Sequence, residues 1–96
     1  MRESEFQTKL IRKLEAMLPG CIVLKNDPNY IQGIPDLTIL HGDRWATLEC
    51  KRSATAKHRP NQDYYVGVMN SMSYSAFISP ENEKEVLDEV QRALGA

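Results

Sequence analysis

Apolar residues fall along the chain in two rhythms. Phe6, Leu10, Leu14 and Met17 recur at helical spacing, with Ile11 and Leu18 beside them, and predict an amphipathic helix over residues 4–18. Ser4 with Gln7 matches a capping box at its start, and Pro19-Gly20 stops it. Residues 21–25, Cys-Ile-Val-Leu-Lys, read as a strand, followed by turn chemistry in Asn26-Asp-Pro-Asn29. From residue 33 to 51 the alternation has the period of two that strands require. A second helix begins near Pro60 and runs to about Met72, with Tyr65, Met69 and Met72 on one stripe and Gln62 on its N-terminal continuation, aimed at the sheet. Residues 74–79 read as a further strand. Ser79 is expected to cap a last helix, with Pro80 at its first position, Glu81 and Glu83 in its first turn, and a stripe of Val86, Leu87, Val90 and Leu94. The order is α-β-β-β-α-β-α, one α/β domain over residues 1–96 with a mixed central sheet flanked by helices.

Within residues 33–51, Gly42-Asp43 is a hairpin signal. If these two form the loop, the numbers of every opposed pair sum to 85. Leu37 then faces Leu48 and Ile39 faces Ala46 on an apolar side. Asp36 lies opposite Glu49, with Cβ atoms about 4.5–5.5 Å apart. Lys51, two residues beyond Glu49, shares their face. A slip of one residue would send the two carboxylates to different faces. On the first helix, Glu3 projects to the side of Phe6 and Leu10, whereas Glu5 points nearly opposite. Both also suit a helix N-terminus by the dipole alone.

Composition adds limits. Ninety-six residues, 42% hydrophobic and 26% charged, suit one small globular domain. No apolar run approaches the roughly 20 residues of a membrane span, so no membrane partner is expected. The N-terminal Met-Arg-Glu-Ser-Glu has no apolar signal core. Cys21 and Cys50 sit in apolar strand-like runs without zinc-ligand spacing, and read as buried thiols of a cytoplasmic protein. Net charge is −1, but residues 1–80 carry ten Lys/Arg against eight Asp/Glu, and residues 81–96 two against five. Lys51, Arg52, Lys57, His58 and Arg59 form a basic run after the carboxylate strand. It is either a solvated loop or a phosphate contact.

Two carboxylates placed this closely repel unless a cation lies between them. Their hard oxygens favour Mg²⁺ or Mn²⁺, and the carbonyl of Cys50 offers a further ligand. Such an ion polarises a phosphodiester and activates water, while Lys51 orients that water or stabilises developing charge. The alternative is structural: Glu49 and Lys51 as an exposed salt bridge, and Asp36 as a turn residue after Pro35. Gly-rich phosphate loops, a nucleophile elbow and paired zinc histidines are missing from the sequence. His41 and His58 read as surface residues. Trp45 and Leu40, opposed at the far end of the hairpin, read as local packing.

Gly33-Ile34-Pro35-Asp36, then Glu49-Cys50-Lys51, then Gln62 at a helix start, resembles the PD-(D/E)XK nucleases. Within them it looks most like the small VRR-NUC domains often carried by phages. The resemblance spans the chain from Glu3 to the strand at 74–79. It implies a restriction-endonuclease-like αβββαβα core and Mg²⁺- or Mn²⁺-dependent DNA hydrolysis. Asp36 and Glu49 would be metal ligands, joined by an acidic residue of the first helix, for which Glu3 matches better than Glu5; Lys51 would act on the water, and Gln62 would orient the site. It further implies a homodimer acting on branched DNA, as a Holliday-junction resolvase does, in the cytoplasm of a phage-infected or bacterial cell. A sequence-specific nicking or homing endonuclease would use the same site. A non-catalytic nucleic-acid-binding module is the rival class.

Overall fold

A computed structural model describes residues 1–95. Helix α1 (Glu3–Met17) is followed by β1 (Ile22–Lys25), β2 (Leu37–His41), β3 (Arg44–Cys50), α2 (Pro60–Met72), β4 (Tyr74–Ile78) and α3 (Glu83–Leu94). The four strands form one sheet in the order β1-β2-β3-β4. β1–β2 and β2–β3 are antiparallel, and β3–β4 is parallel. A parallel neighbour requires a crossover, and α2 supplies it. The expected αβββαβα order and mixed sheet are both present.

The hairpin turns at Gly42-Asp43. His41 pairs with Arg44 and Leu37 with Leu48, the register expected from the loop. Gly42 has φ +64°, while Asp43 stays at negative φ. A Gly first in a two-residue loop is the pattern of a II′ turn, whose twist matches the strands it joins. Register then separates two faces. Leu37, Ile39, Ala46, Leu48, Cys50 and Ile78 point to one side and are fully buried. They meet Phe6, Leu10 and Leu14 of α1 and Val86, Val90 and Leu94 of α3. On the other side lie Thr47, Glu49, Ser75 and Phe77, covered by α2. Thr47 Oγ1 donates to Ser75 Oγ at 2.8 Å and lies 3.4 Å from Met69 Sδ.

α2 covers only the β3–β4 half of that second face. The β1–β2 half is open: Ile22 (56% exposed), Leu24 (45%) and Leu40 (37%) stand on it. Leu40 pairs with the half-buried Trp45, as the register requires.

Two expected helix starts move. α1 begins at Glu3 with Arg2 as its N-cap, so Ser4 and Gln7 lie inside the first turns and form no capping box. Phe6 N–H bonds Arg2 O, which places Glu3 in the first turn. At the C-terminal end, Ser79-Pro80-Glu81-Asn82 is a turn rather than a cap: Asn82 N–H donates to Ser79 O at 3.2 Å. Pro80 suits the second position of a turn as well as it suits a helix start. The Asn82 carboxamide accepts from Ser79 N–H (2.7 Å) and donates to Phe77 O (3.1 Å), so α3 starts at Glu83 without a side-chain cap. His41, expected at the surface, donates from Nδ1 to the Leu94 carbonyl at 2.6 Å and ties α3 to the hairpin. Cys21 and Cys50 are free, Cys50 buried and Cys21 half-buried. No helix among the described residues is long and apolar enough to cross a membrane.

The two faces make opposite demands. Leu48→Ala removes a fully buried side chain from the core and is expected to cost about 2–5 kcal/mol, measured by chemical denaturation. Leu40→Ala, on the open half of the other face, is expected to cost about 1 kcal/mol or less.

Candidate metal centre

The carboxylates converge where the β2–β3 ladder ends. Asp36 immediately precedes β2 and is held from two sides. Its carbonyl accepts from Asn26 N–H at 2.8 Å, and its Oδ2 accepts from Cys50 N–H at 3.0 Å. The backbone donor beyond the last hairpin rung is thus taken by a side chain, which aims the Asp36 carboxylate across at Glu49. Asn26, readable from sequence only as a turn residue, is a principal support. Its Nδ2 donates to Pro35 O and Thr38 Oγ1, both at 2.8 Å. Gly33 anchors the same segment differently. It has φ +88°, and a Cβ there would come within 2.7 Å of Asn61 backbone and side-chain atoms. Only glycine lets the β1–β2 loop lie this close to the start of α2.

Glu49 is 3% exposed. Its Oε2 accepts from Gln62 Nε2 at 3.0 Å and lies 3.9 Å from Lys51 Nζ. Its Oε1 is buried with no hydrogen-bond partner. Lys51, 8% exposed, donates to Gln62 Oε1 (2.8 Å) and Lys57 O (3.2 Å). Gln62 Oε1 also accepts from Arg59 N–H at 3.0 Å, so the third helical residue reaches back to the N-cap at the start of α2. One carboxamide therefore starts a helix, holds the ammonium and contacts the buried carboxylate.

Glu3 completes the cluster from α1. Carboxylate oxygens of Glu3, Asp36 and Glu49 all lie within 4.8 Å of one another. Glu5 points away and pairs with Arg2 at 3.9 Å in solvent. The group is graded from outside inwards: Glu3 exposed, Asp36 half-buried, Glu49 buried. A cleft of about 540 Å³ opens on Asp36 and Glu49 between the β1–β2 loop (Pro28, Gln32, Gly33) and the α2 start (Arg59, Asn61).

Burial dominates the electrostatics. It pushes Glu49 up to about 8, with Asp36 adding to the rise and Lys51 opposing it. Burial also raises Asp36, while the Cys50 N–H and Lys51 pull it down. Glu3 is raised by burial first and Asp36 second. The sequence led us to expect raised carboxylates from mutual repulsion; desolvation is the larger cause. An orphaned buried oxygen and three converging carboxylates together describe a set of hard oxygen donors that could hold a cation. The donor set fits Mg²⁺ or Mn²⁺.

The basic residues differ in their freedom. Arg52 is exposed beside Glu3, and Lys57 and Arg59 are exposed on the loop that leads into α2. His58 is half-buried, stacked on Phe77 with ring centroids 3.7 Å apart, and its Nδ1 lies 3.0 Å from Asp63 Oδ1.

No family model, curated protein or solved structure matches the chain.

Linkage gives this cluster a pH signature. Glu49 holds its proton to about pH 8 when folded but only to about 4.5 when unfolded. Between those values the folded state binds more protons, so stability falls as pH rises. The metal-free protein is expected to melt at a lower temperature at pH 8 than at pH 5. Glu49→Gln is expected to flatten that slope and raise the melting temperature at pH 8, read by calorimetry without divalent ions. Added Mg²⁺ or Mn²⁺ is expected to stabilise the unmodified protein more at pH 8 than at pH 5, because at low pH it must displace protons.

Proposed function

We propose that the chain is a divalent-metal-dependent DNA endonuclease of the PD-(D/E)XK superfamily and VRR-NUC type, cutting branched DNA as a homodimer inside a phage-infected or bacterial cell. The observation that carries this reading is the juxtaposition of Glu3, Asp36 and Glu49 within 4.8 Å, with the Lys51 ammonium fixed at the rim of the buried carboxylate. Asp36, Glu49, Glu3 and the Cys50 carbonyl would hold Mg²⁺ or Mn²⁺. When bound, such an ion supplies charge neutralisation and Lewis-acid polarisation to a phosphodiester.

The chain's own residues supply the rest. Two acceptors, Gln62 Oε1 and Lys57 O, take protons of the Lys51 ammonium. Its remaining proton is left to orient a water or to meet the oxygen charge that builds as phosphorus is attacked. Water adds to phosphorus, one P–O bond breaks, and the leaving oxygen takes a proton, giving a phosphate monoester and a hydroxyl. Gln62 keeps Glu49 and Lys51 in register. Arg52, Lys57 and Arg59 ring this site and would contact backbone phosphates, which makes binding salt-dependent.

The open half of the sheet supports the two-fold assembly. Ile22, Leu24 and Leu40 form an apolar floor. Asn61 abuts Gly33 of the β1–β2 loop, so that side of α2 faces the floor. Tyr65, Val68 and Met72 continue along it at helical spacing. In a two-fold pair the floor of one chain would take the ridge of the other, as an isologous contact requires. A junction has two strands to cut, which suits a pair of sites.

Cleavage of duplex, flap, splayed and four-way DNA with Mg²⁺ or Mn²⁺, resolved by electrophoresis, tests the reaction. Lys51→Ala is expected to lose on the order of 10²–10³ in rate while still unfolding cooperatively. An unmodified protein that leaves every substrate whole with either ion would sink the enzyme reading in favour of a binding module. Cleavage of one duplex sequence and no junction would point to a nicking or homing enzyme. Sedimentation tests the assembly: a dimer is expected for the unmodified chain and a monomer for Leu24→Lys.

A further inference from the structure

The segment between β3 and α2 is fixed in a way that the nuclease reading does not itself explain. Lys57 gives its backbone carbonyl to the Lys51 ammonium at 3.2 Å. The next residue, His58, is held on both sides of its ring. One face stacks on Phe77 at 3.7 Å, with the planes 13° apart, and Phe77 is the β4 residue registered against Glu49. At the ring edge, Nδ1 meets Asp63 on α2 at 3.0 Å. Arg59 is the N-cap of α2, so His58 and Asp63 occupy the positions just before the cap and four into the helix. Those are the places of a hydrophobic staple, filled here by a polar pair. The same helix start is closed by Gln62, whose Oε1 is the other acceptor of Lys51. Both acceptors that aim the ammonium therefore hang on the backbone that His58 pegs to sheet and helix. A ring committed to a stack and a carboxylate is poorly placed to reach out to phosphate.

We propose that His58 is a positioning residue for the Lys51 ammonium, working through the loop it pegs and not by contact with DNA. The kinetic part of this inference rests on the nuclease reading; the placement of Lys51 does not. Nuclear magnetic resonance of protein labelled with ¹⁵N-lysine separates the two. An ammonium held by two acceptors and screened from solvent gives a protected Nζ–H signal. That signal is expected in the unmodified protein and in His58→Phe, which keeps the stack, and is expected to vanish in His58→Ala. In cleavage assays, His58→Ala is expected to lose about tenfold or more in kcat with KM for junction DNA nearly unchanged, and His58→Phe to recover most of it. If His58→Ala does not fold, Phe77→Leu removes the stack from the sheet side and should give the same loss of signal.

Retention of the protected signal in His58→Ala or, if that variant does not fold, in Phe77→Leu overturns the proposal, as does its absence from the unmodified protein. A raised KM with unchanged kcat also overturns it and makes His58 a DNA contact. If the unmodified protein cuts nothing while the signals follow the expected pattern, the nuclease reading falls and the positioning role stands.

Discussion

The molecule depends on a single constraint, the two-residue turn at Gly42-Asp43. A loop one residue longer would invert the faces of one strand relative to the other. With this loop, Leu37, Ile39, Ala46 and Leu48 fall on one side of the hairpin and seal the core with α1 and α3. The same parity sends Thr47 and Glu49 to the opposite side, under α2. Asp36 then stands at the end of the ladder, where the Cys50 N–H fixes it by a hydrogen bond to its carboxylate. Core and candidate site are thus two outcomes of one register.

Placing Glu49 in that position sets a second problem. A carboxylate at 3% exposure has lost most of its hydration, and Gln62 returns only part of it. Lys51 stands near but not against it, at 3.9 Å, because Gln62 Oε1 and Lys57 O hold the ammonium elsewhere. A buried pair optimised for stability would close that gap. Here the cation is kept aside and one carboxylate oxygen stays unsatisfied. Local polar satisfaction is relaxed at the point where three acidic groups meet, and residual strain of this kind concentrates at functional sites.

Much of this was legible in the sequence. Element order, hairpin register and the convergence of Asp36, Glu49 and Lys51 follow from apolar period and one turn signal. Glu3 over Glu5 follows from helical projection. What stayed hidden was chemistry with two solutions of similar local cost. Ser79-Pro80 could begin a helix or a turn, and the Asn82 carboxamide decided for the turn by taking the Ser79 N–H. Ser4 could cap α1, but the cap falls two residues earlier, at Arg2, which brings Glu3 into the helix. The supports of the site were hidden for a different reason. Asn26 and His58 act through partners distant in sequence, Thr38 and Phe77, and no local pattern announces a tertiary contact.

The spread of the acidic cluster along the chain has a consequence for how the protein comes into being. Glu3 lies in the first turn of the molecule, Asp36 and Glu49 in the middle, and Gln62 at the head of the crossover helix. Parallel pairing of β3 with β4 demands that this crossover close, a contact of long sequence separation that is intrinsically slow to form. Until then Lys51 lacks the acceptor on α2, and Glu49 lies open to water and ordinarily acidic. A chain clipped before β4 carries every acidic residue of the cluster without the docked helix α2 that holds Glu49 and Lys51. The full arrangement is complete only once β4 has paired.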